Sequence, residues 1–177
     1  MAKSTSAPVP VAKSVLVDTG FLITVFDDNR PNHATALAFY QFFIEHGFAM
    51  YLSSIVVSEF CVRNELKVLP MSNFLPLSFD LVDGALAGKI DFTSFKKPGD
   101  DRVNIKDDVK LVAQLIKNGI AYFATEDGPL VSKLNEKFAT ISPILASEAV
   151  TAHFAVHRTS AGVVIGRATQ PGQLGLF

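Results

Sequence analysis

The stretch "SVLVDTGFLITVF", residues 14–26, decides how the rest of the chain is read. It opens as an apolar run, Val15-Leu16-Val17, and places a carboxylate, Asp18, and a hydroxyl, Thr19, where the run stops. An apolar run of this kind reads as a buried strand. A buried carboxylate is costly unless something cationic or hydrogen-bonding meets it. Asp18 is therefore either the N-cap of the helix that "TGFLITVF" predicts, or one member of a charged site.

Alternation continues beyond this strand. "PNHATALAFYQFFIEHG" predicts a helix with Pro31 near its start and Gly47 at its stop. "AMYLS" predicts a strand, and "SSIVVSEFCVRNELKVL" a helix capped by Ser53 or Ser54. "LPLSFD" reads as a strand end, "LVDGALAGK" as a short helix and "FKKPGDDRVN" as a polar loop. "IKDDVKLVAQLIKNG" predicts a helix capped by Asn104 and closed at Asn118-Gly119. "IAYFATED" is a strand, "GPLVSKLNEKF" a helix and "ATISPIL" a last strand. Strands alternating with helices predict an α/β fold, a parallel β-sheet sandwiched by helices. Residues 1–13 read as a flexible leader, 14–157 as one folded domain and 158–177 as a flexible tail.

Composition narrows the partners. The chain has 177 residues, 49% of them hydrophobic, with 15 Phe and no Trp, which predicts one Phe-rich core. A net charge of -1 supplies no global field for nucleic acid, so such a partner would need a local patch or metal ions. The single cysteine, Cys61, forms no internal disulfide, and this predicts a reducing cytoplasm. No apolar run approaches the roughly 20 residues of a membrane helix.

Ligands of open parallel sheets bind beyond the carboxyl ends of the strands. Asp18 and Asp127 both fall at such ends. In the helix from Ile105, setting Asp108 to zero puts Leu111, Val112, Leu115 and Ile116 within about 80° of it. Asp108 thus sits on the inward stripe, while Asp107 falls on the side of Lys110 and Gln114 and can pair with Lys110. At helical spacing Glu59 shares a face with Ile55, Val62 and Leu66, and also with Arg63, with which it could form an ordinary surface pair. Each acid has a plain alternative: a cap for Asp18, turn chemistry for Asp127-Gly128-Pro129, a helix-dipole partner for Asp108. Four carboxylates near one point repel unless a divalent cation neutralises them, and all-oxygen ligation selects Mg²⁺ or Mn²⁺.

Taken in order, "VLVDTGFLI", "LSSIVVSEF", "DVKLVAQLIKNG" and "YFATED" resemble the PIN-domain family of metal-dependent nucleases over about Val15 to Ile144. The resemblance implies a parallel sheet between helices. It implies Asp18, Glu59, Asp108 and Asp127 as metal ligands, and Thr19 and Thr125 as their orienting neighbours. The pair of acids in "DDVK" leaves a shift to Asp107 open. The resemblance further implies cleavage of single-stranded RNA, as by the toxin of a toxin–antitoxin pair, and homodimers are frequent in the family. Arg63, Lys96, Lys97 and Arg102 are candidate phosphate contacts, although Lys96-Lys97 also reads as an ordinary solvated loop. The terminal "QLGLF" (Gln173, Leu174, Leu176 and Phe177 its anchors) resembles the peptide by which bacterial proteins dock on the DNA sliding clamp. It frames an alternative: a catalytically silent or DNA-associated binding module of the same fold.

Overall fold

The computed structural model describes residues 11–90 and 102–168. Five parallel strands form the central sheet: β1 (Ser14–Val17), β2 (Ala49–Ser53), β3 (Leu75–Leu77), β4 (Tyr122–Thr125) and β5 (Ser142–Leu145), in the order β3-β2-β1-β4-β5. The helices are α1 (Thr19–Phe26), α2 (His33–Glu45), α3 (Ser54–Phe60), α4 (Leu81–Ala87), α5 (Arg102–Asn118), α6 (Gly128–Lys137) and α7 (Val150–His153). An antiparallel hairpin follows, β6 (Phe154–Thr159) and β7 (Gly162–Arg167). The expected α/β architecture is thus present, with β1 at the centre and buried through Val15, Leu16 and Val17.

Pro76 lies in β3, the edge strand, where a missing N–H costs least. The chain turns into β2 through Gly47 at φ 67°, a left-handed conformation that favours glycine. Between the helices and the sheet the core is built of phenylalanine, as the composition predicts. Phe42 and Phe154 stack at 4.9 Å, and Phe43, Phe48 and Tyr122 pack their rings around Phe154.

Three expectations are corrected. The predicted helix over residues 53–69 stops at Phe60, and Leu66–Val68 is a separate 3-10 turn. Val62 and Asn64 are poor helix formers; the Val62 and Arg63 N–H groups fall back on tighter three-residue bonds to the Glu59 and Phe60 carbonyls, and the Phe60 carbonyl accepts from both the Asn64 N–H at 3.1 Å and Asn64 Nδ2 at 3.3 Å as the helix ends. Val62 and Leu66 therefore do not share a helical face with Glu59, and Val62 is exposed. The start of the expected tail is the hairpin: "FAVHRT" and "GVVIGR" are two runs with β-branched residues around a two-residue turn, closed by Gly162 at φ 124°. The end of the expected leader is held as well, since the Val11 N–H donates to the Ile165 carbonyl at 3.0 Å. Residues 1–10 and 169–177 lie outside the described residues.

On α5, which reaches back to Arg102 rather than starting near Ile105, the buried arc is rotated from the expected stripe. Gln114 is fully buried and Ile116 is 42% exposed. Gln114 is tolerated inside because its amide is satisfied: Oε1 accepts from the Ser53 hydroxyl at 2.6 Å and Nε2 donates to the Ser78 carbonyl at 3.1 Å.

Because Phe154 is the keystone of the ring cluster, Phe154→Ala should lower the unfolding free energy by about 3–5 kcal/mol. Urea denaturation followed by circular dichroism checks this. A loss under about 1 kcal/mol would mean the hairpin is not part of the core.

Candidate functional site

Strand order creates the site. From β1 the chain moves one way to β2, whereas β4 lies on the other side, so β1 and β4 flank the point where the winding reverses. The two strands are paired in register, Val17 beside Ala124, and the Asp18 N–H donates to the Ala124 carbonyl at 2.9 Å. Asp18 and Asp127 therefore end neighbouring strands on one edge.

Local hydrogen bonds orient both. Asp18 Oδ1 accepts from the Thr19 N–H at 2.7 Å as it caps α1, and Oδ2 accepts from the Thr125 hydroxyl at 2.8 Å. The same Thr125 hydroxyl accepts from the Asp127 N–H at 3.0 Å, and Asp127 Oδ1 caps α6 through the Leu130 N–H at 2.9 Å. Both strand-end acids are thus helix caps as well as members of the cluster, so the plain alternatives hold alongside the site reading. Thr19 donates its hydroxyl to Glu59, reaching from α1 to α3.

One hollow of about 520 Å³ is lined by Asp18, Thr19, Glu59, Arg63, Asp108 and Asp127. All four expected acids meet there, brought from β1, α3, α5 and the end of β4. Asp107 also reaches this hollow, although its carboxylate pairs with Lys110 at 2.7 Å as the helix phase predicts. Among the described residues, no three acids, histidines or cysteines close tightly enough on one point to hold an ion. Lys96 and Lys97 lie outside the described residues, as do Gln173, Leu174, Leu176 and Phe177. Arg102 opens α5 with its side chain outside the description.

The acids disturb one another. Burial pushes the Asp18 carboxyl up to about 6, against the Thr125 and Thr19 hydrogen bonds that pull it down, with Glu59 and Asp127 adding repulsion. Burial likewise pushes Asp108 up to about 7, helped by the charges of Asp18, Asp127 and Glu59 and opposed by Lys133. Repulsion reaching Asp108 from all three partners is the electrostatic sign that the four share one field.

A further pair is not legible in the sequence. Arg30 Nη2 meets Glu126 Oε2 at 2.6 Å, and Asn32 Nδ2 reaches Oε1 of the same residue at 3.4 Å. Glu126 borders the cluster, since a Cβ at Gly20 would stand 3.4 Å from the Glu126 Cβ and 3.7 Å from Asp18 Oδ2. Only the adjacency of Glu126 to Asp127 hints at this; its cation comes from 96 residues away. His153 and His157, four apart in sequence, fall on different elements, α7 and β6, and His153 pairs with Glu148 at 2.6 Å.

No protein-family model and no curated protein matches this chain. Solved structures do. VapBC2 of Rickettsia felis bound to a promoter DNA fragment matches with TM-score 0.50 and 13% identity over 75% of this chain and 98% of the other. DNA-bound VapBC of Salmonella typhimurium matches with TM-score 0.51 and 15% identity over 75% and 98%. VapC20 of Mycobacterium tuberculosis, a toxin that cleaves the sarcin–ricin loop, matches with TM-score 0.51 and 14% identity over 73% and 99%. At this identity the likeness is one of fold: the chain has the PIN-type α/β/α architecture.

A carboxyl whose pKa is higher folded than unfolded is protonated more readily in the fold, so it destabilises the folded chain once ionised. Stability tied to Asp108 is therefore present near pH 5 and lost as pH rises through about 7. Without added cations, Asp108→Asn should flatten the fall in Tm between pH 5.5 and 8. Discounting for solvent access, it should raise Tm at pH 8 by about 2–4 °C. Thermal melts of both proteins across that range check it; identical slopes would remove Asp108 from the shared field.

Proposed function

We propose that this protein is a metal-dependent nuclease that hydrolyses phosphodiesters of single-stranded RNA, as the toxin of a toxin–antitoxin pair. One observation carries the reading: four carboxylates from four elements line one hollow at the switch point of a PIN-type sheet. Similarity of fold to toxins of VapBC complexes supports the toxin role and an antitoxin partner. A toxin of the same fold that cleaves the sarcin–ricin loop supports RNA as the substrate.

The donor set fits a hard divalent cation in kind, since it is all carboxylate oxygen; burial chiefly, and repulsion from neighbouring acids second, raises Asp18 and Asp108, and such a cation offsets both. Asp18, Glu59, Asp108 and Asp127 would hold Mg²⁺ or Mn²⁺. When bound, such an ion lowers the pKa of water and stabilises charge on the leaving oxygen. The chain's own contribution is orientation. Thr125 fixes Asp18 and the Asp127 backbone through one hydroxyl, and Thr19 holds Glu59. Arg63, at the rim of the hollow, is placed to hold a phosphate of the strand, which positions it without reading sequence.

Labelled single-stranded RNA and DNA, incubated with Mg²⁺, Mn²⁺ or chelator, test the reading. RNA should be cut only with metal. Asp18→Asn should abolish cutting with an unchanged circular dichroism spectrum, and Thr125→Val should slow it by about 10–100-fold. Full activity in Asp18→Asn, or none in the wild type with either metal, would overturn it.

A further inference from the structure

The carboxylate hollow has an annex. Ile23 and Asn64 line both the hollow and a second recess of about 280 Å³, whose other walls are Phe26, Asp27, Asp28, Phe60 and Val68. It lies just below the roughly 300–1,000 Å³ of drug-sized pockets, which suits one flat ring system. Its apolar walls are left open: Phe26 is 39% and Val68 55% exposed. The Phe26 ring is held edge-on against Tyr40, with centroids 5.5 Å apart and planes at 73°.

The polar atoms in the annex are mainly acceptors. Asp27 Oδ1 accepts from the Asn29 N–H and Nδ2, both at 3.1 Å, which fixes the carboxylate and leaves Oδ2 to accept elsewhere. Asn64 Nδ2 donates to the Phe60 carbonyl at 3.3 Å, so its amide oxygen is a further acceptor. Neither lysine nor arginine lines the recess. A phosphate is repelled by Asp27 and Asp28, whereas a ring carrying N–H donors is attracted. Unpaired bases are recognised in this way, stacked on aromatic side chains and bonded along their Watson–Crick edges.

We propose that the annex is a base pocket in which an unpaired guanine beside the scissile phosphate packs against Phe26 and donates N1–H and N2–H to the two acceptors left open there, Asp27 Oδ2 and the Asn64 amide oxygen. Guanine alone among the four bases offers two adjacent N–H donors on that edge. Adenine and cytosine set a ring acceptor beside their amino group, and uracil flanks its one N–H with carbonyls. The recess adjoins the carboxylate hollow through Ile23 and Asn64, which places it beside the proposed cut, so the proposal rests on the nuclease reading.

The test uses the full chain and short single-stranded RNAs differing only in G, inosine, A, C or U at each position flanking the cut. Wild type should prefer G at one such position by about tenfold or more, and inosine, which lacks the N2 amino group, should lose much of that. Asp27→Asn should erase the preference while still cutting. Cutting without base preference, or a G preference unchanged in Asp27→Asn, would overturn the pocket and leave the nuclease reading standing. If wild type cuts nothing, the nuclease reading falls and guanosine binding by titration calorimetry decides the pocket. Binding weakened about tenfold in Asp27→Asn upholds it; no binding, or equal binding, sinks it.

Discussion

A single hydroxyl, buried where β4 ends, ties the site to the sheet. Thr125 donates to Asp18 across the β1–β4 boundary and accepts from the amide of Asp127, just past the end of β4. It can do so only because the two strands are neighbours, parallel and in register. Parallel strands covered on both faces run as apolar segments and release polar residues only at their ends. Two acids are thereby set side by side on one edge, and two helices bring the others toward them. Burial first, and the field they share second, makes Asp18 and Asp108 hold protons well above the usual carboxylate range. A fold that concentrates like charge this way gives up stability at that place, a pattern expected of functional sites rather than of cores.

That concession is offset elsewhere. On one side the Phe42, Phe43, Phe48 and Phe154 rings, with Tyr122, pack the sheet edge that carries the hairpin. On another, α5 is fixed by polar contacts whose partners are satisfied. Ser53, which caps the helix bearing Glu59, donates to Gln114 of the helix bearing Asp108, and Gln114 donates on to Ser78. Lys117, farther along α5, stands 2.6 Å from Asp80 and 3.2 Å from the buried Asp83 on α4. Helix α5 is thus held by specific donors and acceptors, which resist rotation more than apolar contact alone does. That matters because a turn of α5 would carry Asp108 away from its partners.

The sheet and its strand-end acids were legible in the sequence because their signals are local. "SVLVDT" and "YFATED" each carry an apolar strand and its terminal acid within a few residues. The helix phase of α5 sets Asp108 in the hollow and pairs Asp107 with Lys110, but it fails at Asp107's solvated face, since Asp107 also lines the hollow, and at Gln114, whose burial depends on Ser53, 61 residues away, and on Ser78, 36 residues away. Helix α3 reads too long from the sequence because Ile55, Val62 and Leu66 mimic a helical stripe, while the tightening to three-residue bonds at Val62 and Arg63 that ends it carries no sequence pattern. The hairpin is hidden in the sequence by its small, polar appearance; its evidence is the β-branched run Val163-Val164-Ile165, which buries Ile165 against the core. The Arg30–Glu126 pair and the annex join segments that share no pattern, so only the folded chain brings them together.

Charge poses the remaining question of how an acidic hollow on a chain of net charge -1 would hold a polyanion. Around the site Lys110 is committed to Asp107 and Arg30 to Glu126, so part of the nearby positive charge is already spent on acids of the same chain. Arg63 faces the hollow but sits beside four carboxylates. Among the described residues, a strand drawn mainly by lysines and arginines would meet no strong field here. On the proposed reading two local sources would supply affinity: a divalent cation held by the carboxylates, and a base whose N–H donors turn carboxylates from repellent into partner. On this account the acidity of the surface works as a filter, turning away backbone that arrives without a cation and rewarding a strand that can offer an unpaired base.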